Sequence, residues 1–443
     1  MKRWVVALLV LLAVIVLVSP GIVGQLAERN LKDSIRWAGS ESDELVVTEE
    51  SFERHWFTAE GRHRIELKDG ELRSRIADLA GLEEQDPVPA LIVDTRIDHG
   101  LVPVTSMSRE SGSLMPGLAS TVSTMQLDPG DGELIDLPGR LYSQVGLTGG
   151  TASRYLLEAG SFNDGGARLE WEGADVSMTA DRLRRNLQYE GTVRPLFAVS
   201  GDQSVRLGLT TIEGENRQTD YGFMVGDLVL RVDSMSVGGD AAAGIEIGEL
   251  TVDASSDIID ERVNGKTTMT VEDFSMPGFG DVDVAMDVAA NGLEARSMQA
   301  IITALQHARN AEDPSAALTD LYPRIESDVQ KFLSSGAELR IDRLDVTLPQ
   351  GEVTSRLHFE LPEADPDAVF TWPALILALT ASADVRLPVA LMELAEAANP
   401  QSGALIAMGI LRKDGDSYIV NAEYQKGLLT VNGAPMPIPL PGR

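Results

Sequence analysis

Asp281-Val282-Asp283-Val284-Ala285-Met286-Asp287-Val288 alternates without a break: the even positions are apolar and most odd ones are carboxylates. A period of two places successive side chains on opposite faces of an extended strand, so this segment has one wet face and one apolar face. The same pattern recurs on either side. Val353, Ser355, Leu357, Phe359 and Leu361 share a face opposite Thr354, Arg356, His358 and Glu360. Leu169 and Trp171 alternate with Arg168, Glu170 and Glu172, and Leu228, Leu230 and Val232 do so ahead of Ser234. One-faced strands separated by Gly, Asp and Asn turns are the mark of antiparallel sheet.

Helical spacing is confined to a few places. The pattern predicts one pair of helices over 291–311 (Leu293, Met298, Ile301, Ile302, Leu305) and 314–334 (Leu318, Leu321, Ile325, Val329, Phe332), with Pro314 at a helix start. A second pair is expected over 388–398 and 402–412, split at Asn399-Pro400, after a strand from Leu379 to Leu387. Strands before 290 then form one long sheet, completed by strands near 338–361, 379–387 and 418–431. The fold class is α+β, mainly β, with a large antiparallel sheet and helices near 291–334 and 388–412. An extended sheet of this kind must cover its apolar face by curling, by a partner or by a ligand.

At the other end of the chain, residues 4–18 read WVVALLVLLAVIVLV directly after Lys2 and Arg3. With Ser19 to Gly24 the uncharged stretch is long enough for a bilayer core of about 30 Å. The basic flank favours a cytoplasmic N-terminus. A cleaved signal peptide is the competing reading, but no A-x-A site follows Val18 and Pro20-Gly21 breaks the helix. The expected organisation is a cytoplasmic tip and transmembrane anchor over 1–24 and an amphipathic helical neck over 25–38. A β-rich periplasmic domain over 39–443 follows, with a helical insert at 291–335. This places the protein in a bacterial inner membrane, single-pass, with the bulk of the chain in the periplasm.

There is no cysteine, so disulfides, thiolate metal sites and cysteine nucleophiles are excluded. The net charge of −31 argues against nucleic acid and equally against electrostatic docking onto anionic lipid. The cations are mostly arginine, which fits either an acidic protein in a saline setting or a GC-rich genome.

Three segments carry a family resemblance. Ser51-Phe52-Glu53-Arg54-His55-Trp56-Phe57-Thr58 lies early in the exported part; Ile97-Asp98-His99-Gly100-Leu101-Val102-Pro103 ends a strand; and Tyr424-Gln425-Lys426-Gly427-Leu428-Leu429-Thr430-Val431-Asn432-Gly433 closes the chain. In order and spacing they resemble the YdgA-like family of bacterial inner-membrane proteins of unknown function. Ala381 to Met392, a strand running through Pro388 into a helix, is a weaker match. His55 stands where that family usually has Gly, and Leu101 where Pro commonly follows His-Gly. The resemblance implies membrane attachment and a periplasmic domain, and carries no reaction with it.

The candidate site residues each have a bland reading beside the functional one. Asp98 and His99 suggest an oriented base. Neighbours on a strand point to opposite faces, however, so a turn built from His99, Gly100 and Pro103 is the simpler account. Arg54, Trp56 and Phe57 form either a recognition patch for an anionic group or an arginine packed over an aromatic. Alternation sets Arg54 and Trp56 on one face and Phe57 on the other. His55, His63, His307 and His358 lack ligand spacing for zinc. Asp128, Asp131, Glu133 and Asp136 do not match a calcium loop. Asn432-Gly433 signals a hairpin turn, with the proline-rich tail as an extended edge.

No catalytic residue, cofactor or metal is expected. The expected function is a non-enzymatic, inner-membrane-anchored periplasmic protein with an extended β-sheet surface that binds or handles lipid in the cell envelope. The expected partners are the inner membrane, through residues 4–24, and a lipid ligand or an envelope protein. The alternatives are an envelope scaffold or protein-interaction module and, more remotely, a hydrolase using His99.

Overall fold

The computed structural model describes residues 45–56, 58–67, 90–99, 117–128, 134–164, 167–201, 203–239, 242–276, 280–309, 314–363, 372–399 and 402–436. The expected anchor (1–24) and neck (25–38) lie outside these residues, as do Phe57, Gly100 and Pro103. No helix among the described residues is long and apolar enough to cross a membrane. The chain groups into two compact units, residues 1–217 with 237–241, and residues 218–236 with 242–443. Both are mainly β, as the alternation predicts.

In the first unit, β1 (Leu45–Arg54), β2 (Thr58–Leu67), β3 (Ala90–His99), β4 (Gly117–Asp128), β5 (Ile135–Gly146) and β6 (Thr151–Leu157) pair in chain order, all antiparallel. β7 (Gly160–Asp164) and β8 (Ala167–Trp171) then form a hairpin, and β9 (Ala174–Ala180) returns to pair with β6. β10 (Asn186–Val193) pairs with β9, β11 (Leu196–Ser200) with β8 and β12 (Gln203–Leu207), and β13 (Thr210–Gln218) with β10. This is a meander of long strands interrupted by short bends.

Its core follows from the pleat. Along β2, Ala59, Gly61, His63 and Ile65 are buried, while Arg62 and Arg64 face the other way. Ile65, Leu91 and Val93 pack together, with Val47, Leu67, Met125 and Leu137 against them. Next to them, Ala59, Ile97, Ala119 and Val145 pack with Phe52. The opposite face is held by ions: Arg62 lies 3.3 Å from Asp94, and Arg64 lies 2.6 Å from Asp128.

β15 (Met235–Gly239) straddles the division, with residues 237–239 in the first unit; in the second, β14 (Met224–Val232) and β16 (Ala242–Ile247) lead into β17 (Glu249–Ile259), β18 (Arg262–Met276) and β19 (Gly280–Glu294). β14 pairs with β17, β17 with β18 and β18 with β19. The chain then leaves the sheet for α1 (Ala295–Arg309), α2 (Pro314–Thr319) and α3 (Leu321–Ser334), and re-enters as β20 (Glu338–Leu348). β20 pairs with β19, so the helical insert interrupts the chain without interrupting the ladder. β21 (Gly351–Glu360) follows, then α4 (Trp372–Ala378), β22 (Thr380–Pro388), α5 (Val389–Ala398) and α6 (Ser402–Ala407). β23 (Arg412–Asp414), β24 (Ser417–Gln425), β25 (Leu428–Val431) and β26 (Ala434–Met436) complete the unit. β22 pairs with both β21 and β24.

Three helix expectations need correction. Residues 291–294 remain strand, with Asn291 still paired to Glu338, and the helix begins at Ala295. The expected helix over 314–334 is two, α2 and α3, parted at Asp320. Pro323 has no N–H for the carbonyl of Thr319 and crowds it, which breaks the helix there. The helix expected over 402–412 ends at Ala407, because Gly409 takes a positive φ of 73° and turns the chain back. The break at Asn399 falls where it was expected: the residue before a proline is pushed into extended geometry, here φ −145° and ψ 103°. α4 has no counterpart in the predicted elements.

Candidate functional site

Register in the second unit sets apolar side chains in rows across many strands. One row runs Val232, Leu250, Val271, Val284, Val346 and Val353, each the direct partner of the next. The next runs Leu230, Val252, Met269, Met286 and Leu344, and after Ser355 continues through Val385 and Val420. A third passes from Leu228 and Ala254 across Thr267 to Val288, Ile341 and Leu357, and on to Ala383 and Ala422. At its border Leu339 pairs with Phe359.

Most of this face is only partly buried. Of the first two rows Val232 alone is buried, and Leu339 and Phe359 keep 43% and 39% of their surface in water. In the first unit, by contrast, Leu91, Ile92 and Leu127 are fully enclosed. The helical insert packs chiefly on itself: Ala308, Leu321 and Ile325 form its core with Ile301, Leu305 and Val329, and no strand residue joins that cluster. An apolar sheet face left partly exposed at this width is what a binding surface for an apolar partner requires.

The opposite face is polar. Arg343 donates to Asp345 at 2.7 Å, a bond that raises the arginine's pKa above its ordinary value. The amide of Asn291 donates to Glu338 at 3.0 Å, and His358 lies 3.0 Å from the same carboxylate. The Asn291 bond is the largest cause holding Glu338 below the usual carboxylate range, with Arg340 and His358 assisting against the cost of desolvation.

The residues singled out in the sequence are dispersed. Arg54 ends β1, and the strand stops before Trp56, so alternation no longer relates the two. His55 instead donates its N–H to the carbonyl of Thr58 in a turn, and Trp56 stands 86% exposed. Asp98 and His99 are successive residues of β3, and the backbone of His99 pairs with that of Ala119. Asp98 is 3% exposed; its Oδ1 and the hydroxyl of its cross-strand partner Ser120 are buried and have no hydrogen-bond partner among the described residues. Asp128 and Asp136 are engaged by Arg64 and Gln126 respectively. Asn432 and Gly433, with φ of 50° and 79°, form the turn between β25 and β26.

Two features carried no sequence signal. Asn432 does more than turn the chain: its side-chain amide donates to the carbonyls of Gly409 (3.0 Å) and Ile410 (2.9 Å), and its Oδ1 accepts from the Asn421 N–H (3.0 Å). The openness of the apolar face was equally invisible, since alternation reports which side is apolar and not what covers it. Among the described residues, no three acidic or histidine side chains come together as a metal site.

No curated protein and no solved structure matches the chain. One family model matches residues 1–439, which is nearly its full length. The chain therefore belongs to the family described as "Bacterial protein of unknown function (DUF945)".

Proposed function

We propose that this is a non-enzymatic lipid-handling protein of the bacterial envelope. Residues 4–24 anchor it in the inner membrane, the remainder faces the periplasm, and the apolar face of the second unit takes up acyl chains. The observation that carries this reading is the width of partly exposed Val, Leu and Met side chains running from β14 to β24. Acyl chains suit such a face because they ask for apolar area and few directed polar contacts.

The test is photocrosslinking in living cells with the full chain. A benzophenone side chain replaces Met286 or Leu344 on the apolar face, and Asp287 or Arg343 on the polar face. Lipid adducts at the first pair and none at the second support the proposal. Protein adducts at Met286 and Leu344 instead mean that the face is a docking surface for another envelope protein, and the lipid reading fails.

A further inference from the structure

On the polar face of the first unit, β2, β3 and β4 run in register without a bulge, and one row across them carries only oxygen-bearing side chains: Thr58, Asp98, Ser120 and, on β5, Gln144. The row lies where β2 begins and β3 ends. Its two inner members are enclosed, Asp98 at 3% and Ser120 at 6% exposure, while Thr58 and Gln144 on either side keep partial contact with water. Among the described residues neither Asp98 Oδ1 nor Ser120 Oγ has a hydrogen-bond partner, and they do not bond each other.

Two other carboxylates of that face are each met by an arginine. Asp94 on β3 lies 3.3 Å from Arg62, and Asp128 on β4 lies 2.6 Å from Arg64. Arg96, two residues before Asp98 on the same side of β3, is exposed and stands opposite Glu60 in the ladder. Burying a carboxylate oxygen and a hydroxyl with nothing bonded to them is costly, and buried charges are ordinarily paired. An ordered water would meet the hydrogen bonds and still leave the charge uncompensated.

We propose that Asp98 and Ser120 form a binding site for a primary ammonium group, carried by a free amine or by an ethanolamine headgroup. One carboxylate calls for one positive charge, and no three acidic or histidine side chains among the described residues come together to hold a divalent metal. Side chains directly opposite on neighbouring strands stand about 4.5–5.5 Å apart at Cβ. Two N–H groups of a tetrahedral ammonium, each about 2.8 Å from its acceptor, span about 4.6 Å between acceptors. One ammonium therefore bridges the two strands, donating to Asp98 Oδ1 and to Ser120 Oγ, with its third N–H left for water. A planar guanidinium fork closes on a single carboxylate and leaves Ser120 unmet. The site lies in the first unit and does not rest on the acyl-chain reading of the second.

The probe is methylammonium, titrated against the full chain at constant ionic strength and read as a shift in the urea midpoint. Tetramethylammonium, which carries the charge without an N–H, and potassium are the controls. Methylammonium is expected to raise the midpoint, and the controls to leave it unchanged. Asp98→Asn weakens amine binding about tenfold or more, and Ser120→Ala about two- to tenfold. Asp98→Asn also raises the midpoint measured without amine, because it removes a buried charge that nothing offsets. Tighter binding of phosphoethanolamine than of methylammonium assigns the headgroup as the source, and equal or weaker binding assigns a free amine. A parent midpoint indifferent to methylammonium overturns the proposal, as does an equal response to tetramethylammonium or potassium. A lowered midpoint in amine-free Asp98→Asn overturns it too, because another part of the chain then already supplies the counter-charge. None of these outcomes bears on the crosslinking at Met286 and Leu344.

Discussion

Leu339→Ala separates an open sheet face from a packed one. Leu339 retains 43% of its surface in water, so a little over half of it leaves solvent on folding. Full burial of a leucine is worth about 1.5–3 kcal/mol, so the burial at stake is about 1–2 kcal/mol. Because the position opens to water, truncation leaves no sealed cavity and adds no cavity term. Leu411, in the same unit, is 4% exposed, and a leucine enclosed to that degree costs about 2–5 kcal/mol when cut to alanine. The two variants start from the same residue type in the same unit, so their difference reports coverage. The assay is urea unfolding of the full chain followed by circular dichroism, with the midpoint converted through a shared slope. Leu339 faces Phe359 across the ladder, so a double-mutant cycle between them is expected to give a coupling of about 0.2–1 kcal/mol. Equal losses for Leu339→Ala and Leu411→Ala would refute the reasoning, because the apolar face would then be packed and unavailable to a ligand.

Other outcomes follow from the same geometry. Burial lowers the pKa of His63 from 6.5, the main cause, against opposing pulls from Glu49 and Asp94. The folded state therefore prefers the neutral ring, so stability is full above pH 6.5 and is lost as pH falls from there toward the lower folded value. Unfolding midpoints measured from about pH 7.5 to 5 are expected to fall less steeply in His63→Gln than in the parent. Asn432→Gly keeps the positive φ of the turn while removing three hydrogen bonds, with an expected loss of about 1–3 kcal/mol. Hydrogen exchange should then quicken at Gly409–Leu411 before it does so in β24. Gly139 sits at φ 105° with Tyr155 Oη only 2.5 Å from where a Cβ would lie, so Gly139→Ala strains the backbone and displaces Tyr155 from the carbonyl of Pro138. A loss of at least about 1–2 kcal/mol is expected, read as a lowered midpoint for the first unit.

The candidate residues show how far local signals reach. Asn432-Gly433 was legible because a positive φ at two successive positions is a local demand that these residues meet. The ties from Asn432 to Gly409 and Ile410 were not, since their partners lie 23 and 22 residues away in the chain. Arg54 and Trp56 were paired by extending alternation past the point where the strand ends, and a strand boundary is set by pairing, here by the turn from His55 to Thr58. The burial of Asp98 beside Ser120 was not legible either, since it depends on what packs over β3 and β4.

By itself the sequence determined the mainly β class and the polar and apolar sides of the strands that alternate plainly, such as 281–288 and 353–361. It also placed a helical insertion within a few residues of the end of β19, and the break at Asn399. All of these are encoded in the period of two or 3.6 residues and in proline and glycine stereochemistry, which act within one turn or one strand. Only the tertiary structure decided that the apolar rows from β14 to β24 stay partly exposed, that the helical insert packs mainly on itself, and that Leu394, Leu405 and Met408 are left exposed. Coverage is a property of the whole packing: it depends on which surfaces meet after every register is set, and no local periodicity contains that information.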